Sequence, residues 1–236
     1  CYRREHNLGI ADAQGNLIYP NPIPWDRWQL LLSRCYAHST MVDDAAGIVL
    51  RKLRELGLEE NTLVIWTADH GDAIACQGGK FDKASYMVEE VMRVPMALSY
   101  PGVVRPGQVT DALVSNMDAP VTMLAAAGLK FDYEPDGVDL LSQEATGFKK
   151  RREFFVSETY GHLHRNVAKS LVTQRYKYTV NKEDLSELYD LAKDPYETSN
   201  LVFSQAHRPL LQDLDAKLRA WVRGEGDIFY EGDSEY

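Results

Sequence analysis

Cysteine is scarce in this chain of 236 residues, with Cys1, Cys35 and Cys76 its three members. Odd in number, with no C-x-x-C and no zinc spacing, they exclude a disulfide scaffold and a structural zinc finger. Long apolar runs are missing as well. Polar residues interrupt each hydrophobic stretch well short of the ~20 residues a membrane helix needs, so no membrane span is expected. Basic charge is outnumbered, 26 Lys and Arg against 35 Asp and Glu, for a formal net charge of -9. Such a surface repels nucleic acid phosphates, and the densest basic cluster, Lys149-Lys150-Arg151-Arg152, reads as a solvated turn. No nucleic acid partner is therefore expected. The chain opens on Cys1-Tyr2-Arg3-Arg4-Glu5, without an initiator Met and without a signal-peptide pattern. A mature N-terminus and the later part of a longer polypeptide are the two readings of that start.

What is present is ordinary globular material, 44% apolar, 10% aromatic and 26% charged. Residues 1–24 read as irregular, broken by Gly9, Gly15, Pro20, Pro22 and Pro24. From Asp26 to Leu56, Trp28, Leu31, Leu32, Cys35, Val42, Val49 and Leu53 recur at helical spacing, with Gly57 as the stop. On that face Cys35 reads as a small core residue rather than a reactive thiol. Thr62 to Ala68 is a nearly continuous β-branched and apolar run, the pattern of a strand buried on both faces of a parallel sheet. A second such run spans Val94 to Tyr100. Asp118 and Pro120 open a capped helix ended by Gly128.

Beyond about residue 150 the texture changes to short alternating segments, Phe154–Glu158, Ala168–Thr173, Tyr176–Val180 and Glu187–Leu191. An amphipathic helix from Pro209 to Val222 follows, with Leu210, Leu211, Leu214, Leu218 and Trp221 on one face. The predicted fold is α/β: part of a mainly parallel sheet flanked by helices, then a small α+β subdomain of short antiparallel strands and one helix. The predicted organisation is an α/β catalytic part over 1–150, the α+β subdomain over 151–223 and a frayed acidic tail over 224–236.

In open α/β sheets, ligands collect beyond the carboxyl ends of strands. The first apolar run delivers Thr67-Ala68-Asp69-His70-Gly71-Asp72 to that edge. A hard carboxylate beside an imidazole can face one metal ion, with a glycine allowing the tight turn. The same stretch also suits a plain strand-to-loop turn, where Asp and Gly are common. A glycine-bearing loop follows, Gln77-Gly78-Gly79-Lys80-Phe81-Asp82-Lys83, and then Arg93-Val94-Pro95. A metal and a lysine at one strand edge make a site for a tetrahedral oxyanion, since both neutralise charge on its oxygens.

These motifs resemble the second half of a sulfatase, within the alkaline phosphatase superfamily. The resemblance is carried by Asp69-His70-Gly71-Asp72, Lys83, Arg93-Val94-Pro95 and Pro101-Gly102. Asp118-Ala119-Pro120-Val121, Glu187-Leu188-Tyr189-Asp190-Leu191, Asp194-Pro195 and Glu197-Thr198-Ser199-Asn200-Leu201 add to it. The resemblance implies a sulfuric ester hydrolase acting on a sulfate ester such as a sulfated sugar or aryl sulfate, at an extracytoplasmic location. It implies Asp69 and His70 as ligands of a calcium ion and Lys83 as the sulfate-binding lysine, with Lys80 as the fallback. Where the family often carries His before the glycine, this chain has Gln77, which can donate a hydrogen bond but cannot transfer a proton near neutral pH. The loop Glu158-Thr159-Tyr160-Gly161-His162-Leu163-His164-Arg165 offers His162, His164 and Arg165 as contacts to a sulfated glycan, or equally a polar exposed loop.

The C/S-x-P-x-R motif that yields the family's formylglycine nucleophile is absent. Cys1 precedes Tyr-Arg-Arg, Cys35 precedes Tyr-Ala-His and Cys76 precedes Gln-Gly-Gly. The expectation is a C-terminal half whose nucleophile and further metal ligands belong to a missing N-terminal half, the chain alone being inactive. Two rivals stay open, a phosphoester or phosphonate hydrolase of the same superfamily and a non-catalytic module that binds sulfated glycans.

Overall fold

The computed structural model describes residues 10–11, 17–18, 24–74, 76, 80, 82–145, 147, 152–162 and 166–230. It divides into two compact units: one of residues up to Asp82 with Glu90–Arg152, the other of Lys83–Glu89 with Glu153–Tyr236.

The first unit opens with the short antiparallel strands β1 (Ile10–Ala11) and β2 (Leu17–Ile18). Helix α1 (Trp25–Glu55) follows over 31 residues. Lys52 and Arg54 lie in its last turn, where their charge complements the helix dipole. Gly57 then takes φ +67, a left-handed turn that suits a residue without Cβ. No residue of α1 is buried; Tyr36, Val42, Ile48 and Val49 are exposed and Cys35 is half-buried. The apolar period has made the helix, but the core role expected of Cys35 is not seen among the described residues.

Strand β3 (Val64–Thr67) pairs with β4 (Met96–Ser99), Val64 opposite Ser99 and Thr67 opposite Met96. Their pairing is antiparallel, where the apolar runs predict parallel neighbours, and Trp66 is 43% exposed. An unbroken apolar run reports a tendency to be buried, and a long connection leaves strand direction open. Between them comes the single turn α2 (Glu89–Met92), and beyond them α3 (Asp118–Ala126) and α4 (Leu140–Ala145).

The second unit holds a four-stranded antiparallel meander in the order β5 (Phe155–Thr159), β6 (Ala168–Val172), β7 (Tyr176–Asn181) and β8 (Glu187–Asp190). Helix α5 (Arg208–Gly224) lays Leu214, Leu218 and Val222 against Leu171, Tyr178 and Leu188. This is the small α+β arrangement expected from the alternating segments. Strand periodicity sends Lys169 and Leu171 to the α5 side and Ser170 to the other, where its hydroxyl meets that of Thr179 at 2.8 Å.

The family-like signature after β8 is turn chemistry. Asp194 accepts hydrogen bonds from the Thr198 and Ser199 amides, and Asn200 Oδ1 accepts from those of Leu188 and Val202. Past α5 the chain stays packed instead of fraying at residue 224. Phe229 is buried in the core, and Asp227 pairs with the buried Lys169 at 2.7 Å. Composition marked these residues as polar and missed that one aromatic and one ion pair tie them down. The rest of the tail, 231–236, lies outside the described residues.

Candidate functional site

Asp69 and His70 leave the carboxyl end of β3 side by side. The Asp69 carboxylate is largely exposed, and its Oδ1 accepts the His70 main-chain N–H at 2.9 Å. His70 Nε2 lies 3.5 Å from Asp69 Oδ2, while Nδ1 stands 2.9 Å from the Gly71 carbonyl oxygen. With the proton on Nδ1 and donated to that carbonyl, Nε2 keeps its lone pair beside the carboxylate. A backbone acceptor behind a ligating imidazole is how proteins set the tautomer for metal binding.

Gly71 is required here by space. A Cβ at this position would lie 1.9 Å from the Glu90 carbonyl oxygen, and the Gly71 N–H donates to Val91 O at 2.8 Å. The glycine's role is close backbone approach to the neighbouring segment.

A residue that sequence reasoning passed over completes the edge. Asn116 receives the Thr67 hydroxyl on Oδ1 at 2.9 Å and donates from Nδ2 to the Ala68 carbonyl at 2.8 Å. Its turn is held by Asp118, a fully buried carboxylate. Asp118 accepts the Ser115 amide at 2.8 Å, the Val138 amide at 2.9 Å, and a two-pronged contact from Arg152 at 2.8 and 3.1 Å. Two expectations change. Asp118 is the first residue of α3 and ties together loops instead of capping the helix, and Arg152 is a mostly buried partner instead of a solvated charge. No local pattern links positions 68, 116, 118 and 152, so only the folded chain displays them.

The remaining candidates divide. Gln77 lies outside the described residues, as do His164 and Arg165. Lys80 is half-buried, with its amide donating to the Cys76 carbonyl at 2.9 Å. Lys83 belongs to the second unit, half-buried, its carbonyl accepting the Tyr86 amide at 3.1 Å. His162 is exposed. Near it, Glu158 at the end of β5 pairs with Lys169, and the Tyr160 hydroxyl reaches Asp227 at 3.4 Å. These two residues therefore serve the Lys169 cluster. The hydrogen bond from Lys169 holds the Asp227 carboxyl below the usual range, and burial followed by the Asp227 charge pushes the Tyr160 phenol up.

Among the described residues no group of three or more His, Cys, Asp or Glu converges on a metal position. Asp69 and His70 offer one carboxylate and one imidazole, whereas calcium takes about 6–8 oxygen ligands. The pair suits a share of a metal shell, and the described residues do not make a calcium site by themselves.

Comparison with known proteins shows the family of the chain. A family model described as Sulfatase matches residues 12–129, and one described as N-sulphoglucosamine sulphohydrolase, C-terminal, matches residues 77–223. An ulvan-active sulfatase of Formosa agariphila is 28% identical over 206 residues, 84% of this chain and 40% of that protein. Arylsulfatase K of Bos taurus is 32% identical over 197 residues, 79% of this chain and 36% of that protein. The solved structure of a 2-O GAG sulfatase superposes with a TM-score of 0.80 at 25% identity, over 88% of this chain and 46% of the other. The chain thus spans about two-fifths of the length of the curated relatives it matches.

Proposed function

Because this chain belongs to the sulfatase family, we propose that it carries the metal-binding edge and the sulfate-binding lysine of a sulfuric ester hydrolase. The observation that carries this reading is the pairing at the end of β3. His70 Nδ1 stands 2.9 Å from the Gly71 carbonyl oxygen, and Nε2 lies 3.5 Å from the largely exposed Asp69 carboxylate. Asp69 and His70 supply two ligands to a divalent metal, calcium by resemblance, the others coming from beyond the described residues. The metal, when bound, neutralises charge building on the nonbridging sulfate oxygens.

Lys83 binds a sulfate oxygen as a fixed ammonium and stabilises the departing alcohol oxygen. Gln77 orients the ester by hydrogen bonding, and protonation of the leaving group falls to another residue. The formylglycine is supplied from outside these 236 residues, none of which lies in a C/S-x-P-x-R motif. The names of the relatives, ulvan-active and 2-O GAG sulfatases, support a sulfated glycan as substrate. His162, which is exposed, together with His164 and Arg165, contributes to its recognition on this reading.

The test is kinetic. In the complete enzyme, Asp69→Ala and His70→Ala each abolish metal-dependent hydrolysis of 4-nitrophenyl sulfate and weaken calcium binding, measured by calorimetry. The 236-residue chain alone shows no turnover. Full calcium affinity and activity in both variants would sink the proposed ligand pair.

A further inference from the structure

Lys83 stands in a segment, Lys83–Glu89, that belongs to the antiparallel unit. Within that unit the segment is held at two points. Asn166, just ahead of β6, donates from Nδ2 to the Ser85 carbonyl at 3.2 Å. Glu89 is gripped twice: its amide donates to Glu197 Oε2 at 2.8 Å, and its carboxylate pairs with Lys177 Nζ at 3.2 Å. Lys177 also pairs with Glu197, and both side chains are 1% exposed.

A buried ammonium between two carboxylates is a weak contributor to stability, because desolvation offsets much of the attraction. It does fix geometry, since any displacement of Glu89 strands a buried charge. Burial raises the Glu197 carboxyl above its ordinary range while Lys177 pulls it back. Backbone strain is concentrated at the same places. Asp82 and Ala84 flank Lys83 at φ +64 and +39, and Glu197 sits at φ +52. Non-glycine residues hold such angles where their surroundings over-determine them, frequently at functional sites.

We propose that Asn166 and the Lys177–Glu197 pair are positioning residues for Lys83. On this view the antiparallel subdomain sets where the sulfate-binding ammonium stands. The inference rests on the sulfatase reading of Lys83 and deepens it.

A double-mutant cycle in the complete enzyme tests it, using Asn166→Ala, Glu197→Gln and Lys83→Ala with 4-nitrophenyl sulfate. Asn166→Ala is the milder of the two positioning substitutions, while Glu197→Gln leaves Lys177 with Glu89 as its charged partner. Asn166→Ala removes one hydrogen bond to a carbonyl, and Glu197→Gln keeps an acceptor for the Glu89 amide. Each is expected to raise KM about three- to tenfold, the range of one lost hydrogen bond, with a smaller change in kcat, measured at a temperature well below the melting transition of each variant. In the Lys83→Ala background the same substitutions should change KM by less than about twofold, because residues acting through one group are not additive. Trypsin should cleave after Lys83 faster in Asn166→Ala than in the parent.

Parental KM in both variants, or effects that add fully to that of Lys83→Ala, would overturn the positioning role and leave the role of Lys83 intact. Parental kinetics in Lys83→Ala itself would instead overturn the sulfate-lysine reading, and the positioning role with it.

Discussion

Removing Arg152 should destabilise the first unit more than its place among basic surface residues suggests. Its guanidinium is 16% exposed and faces Asp118, whose carboxylate is fully buried. Truncation to Ala strands that charge, and breaking a buried pair costs about 3–5 kcal/mol. The Ser115 and Val138 amides still donate to Asp118, which keeps Arg152→Ala near the lower end of that range. Asp118→Ala removes the acceptor of both amides as well as the partner of Arg152. With about 1–3 kcal/mol for each orphaned amide, it should cost at least as much.

The pair of substitutions decides the reasoning. Arg152→Ala with Asp118→Ala leaves no unpaired buried charge and orphans the two amides, so it should cost about 2–6 kcal/mol. That is less than the sum of the two single changes by about 2 kcal/mol or more. Urea unfolding of the three variants measures these differences, and hydrogen exchange at the Ser115 and Val138 amides should report the loosened turn in Asp118→Ala first. Through Asn116 the loosening should pass to Ala68, beside Asp69. A loss below about 1 kcal/mol in Arg152→Ala, or strict additivity of the pair, would refute the buried network as described.

Three further outcomes follow from other parts of the fold. Gly71→Ala places a Cβ 1.9 Å from the Glu90 carbonyl oxygen; it should lower stability by about 1–3 kcal/mol and weaken the metal binding proposed for Asp69 and His70, read by thermal melting and calorimetry. Lys169→Met leaves Glu158 and Asp227, which keep part of their exposure, without their shared cation, and should cost about 1–3 kcal/mol. Adding Glu158→Gln and Asp227→Asn should recover part of that loss in urea unfolding. Arg175 holds the Asp190 carboxyl below its ordinary range, so its stabilisation is present above the unfolded value near 3.9 and is lost as pH falls through the folded one. Asp190→Asn should therefore flatten the fall in stability below about pH 4, measured by urea midpoints from pH 2 to 6.

What could be read in advance is what local chemistry encodes. Period and stop residues placed α1, α3 and α5 within a few residues, and alternation placed β5 to β8. Asp69-His70-Gly71 was visible because its three members are adjacent, although the glycine's reason, the nearness of the Glu90 carbonyl, lies at a remote position. The misses share a cause. The direction of β4 relative to β3, the loop-tying role of Asp118, the burial of Arg152 and the docking of Phe229 each depend on a partner far along the chain.

Net charge was a poor guide for the same reason. Lys169 and Lys177 look like solvent-facing lysines in short strands, yet both are 1% exposed and pair with carboxylates from distant segments. Lys83 shows the consequence for function. In sequence it belongs to the loop after Asp69 and His70, and the fold assigns it to the unit that begins again at Glu153. A motif scan reads those residues as one loop, whereas the chain divides their support between two bodies. On the proposed sulfate-binding role of Lys83, substitutions in the antiparallel subdomain should act through Lys83, and substitutions at Asn116, Asp118 or Arg152 on the Asp69–His70 pair.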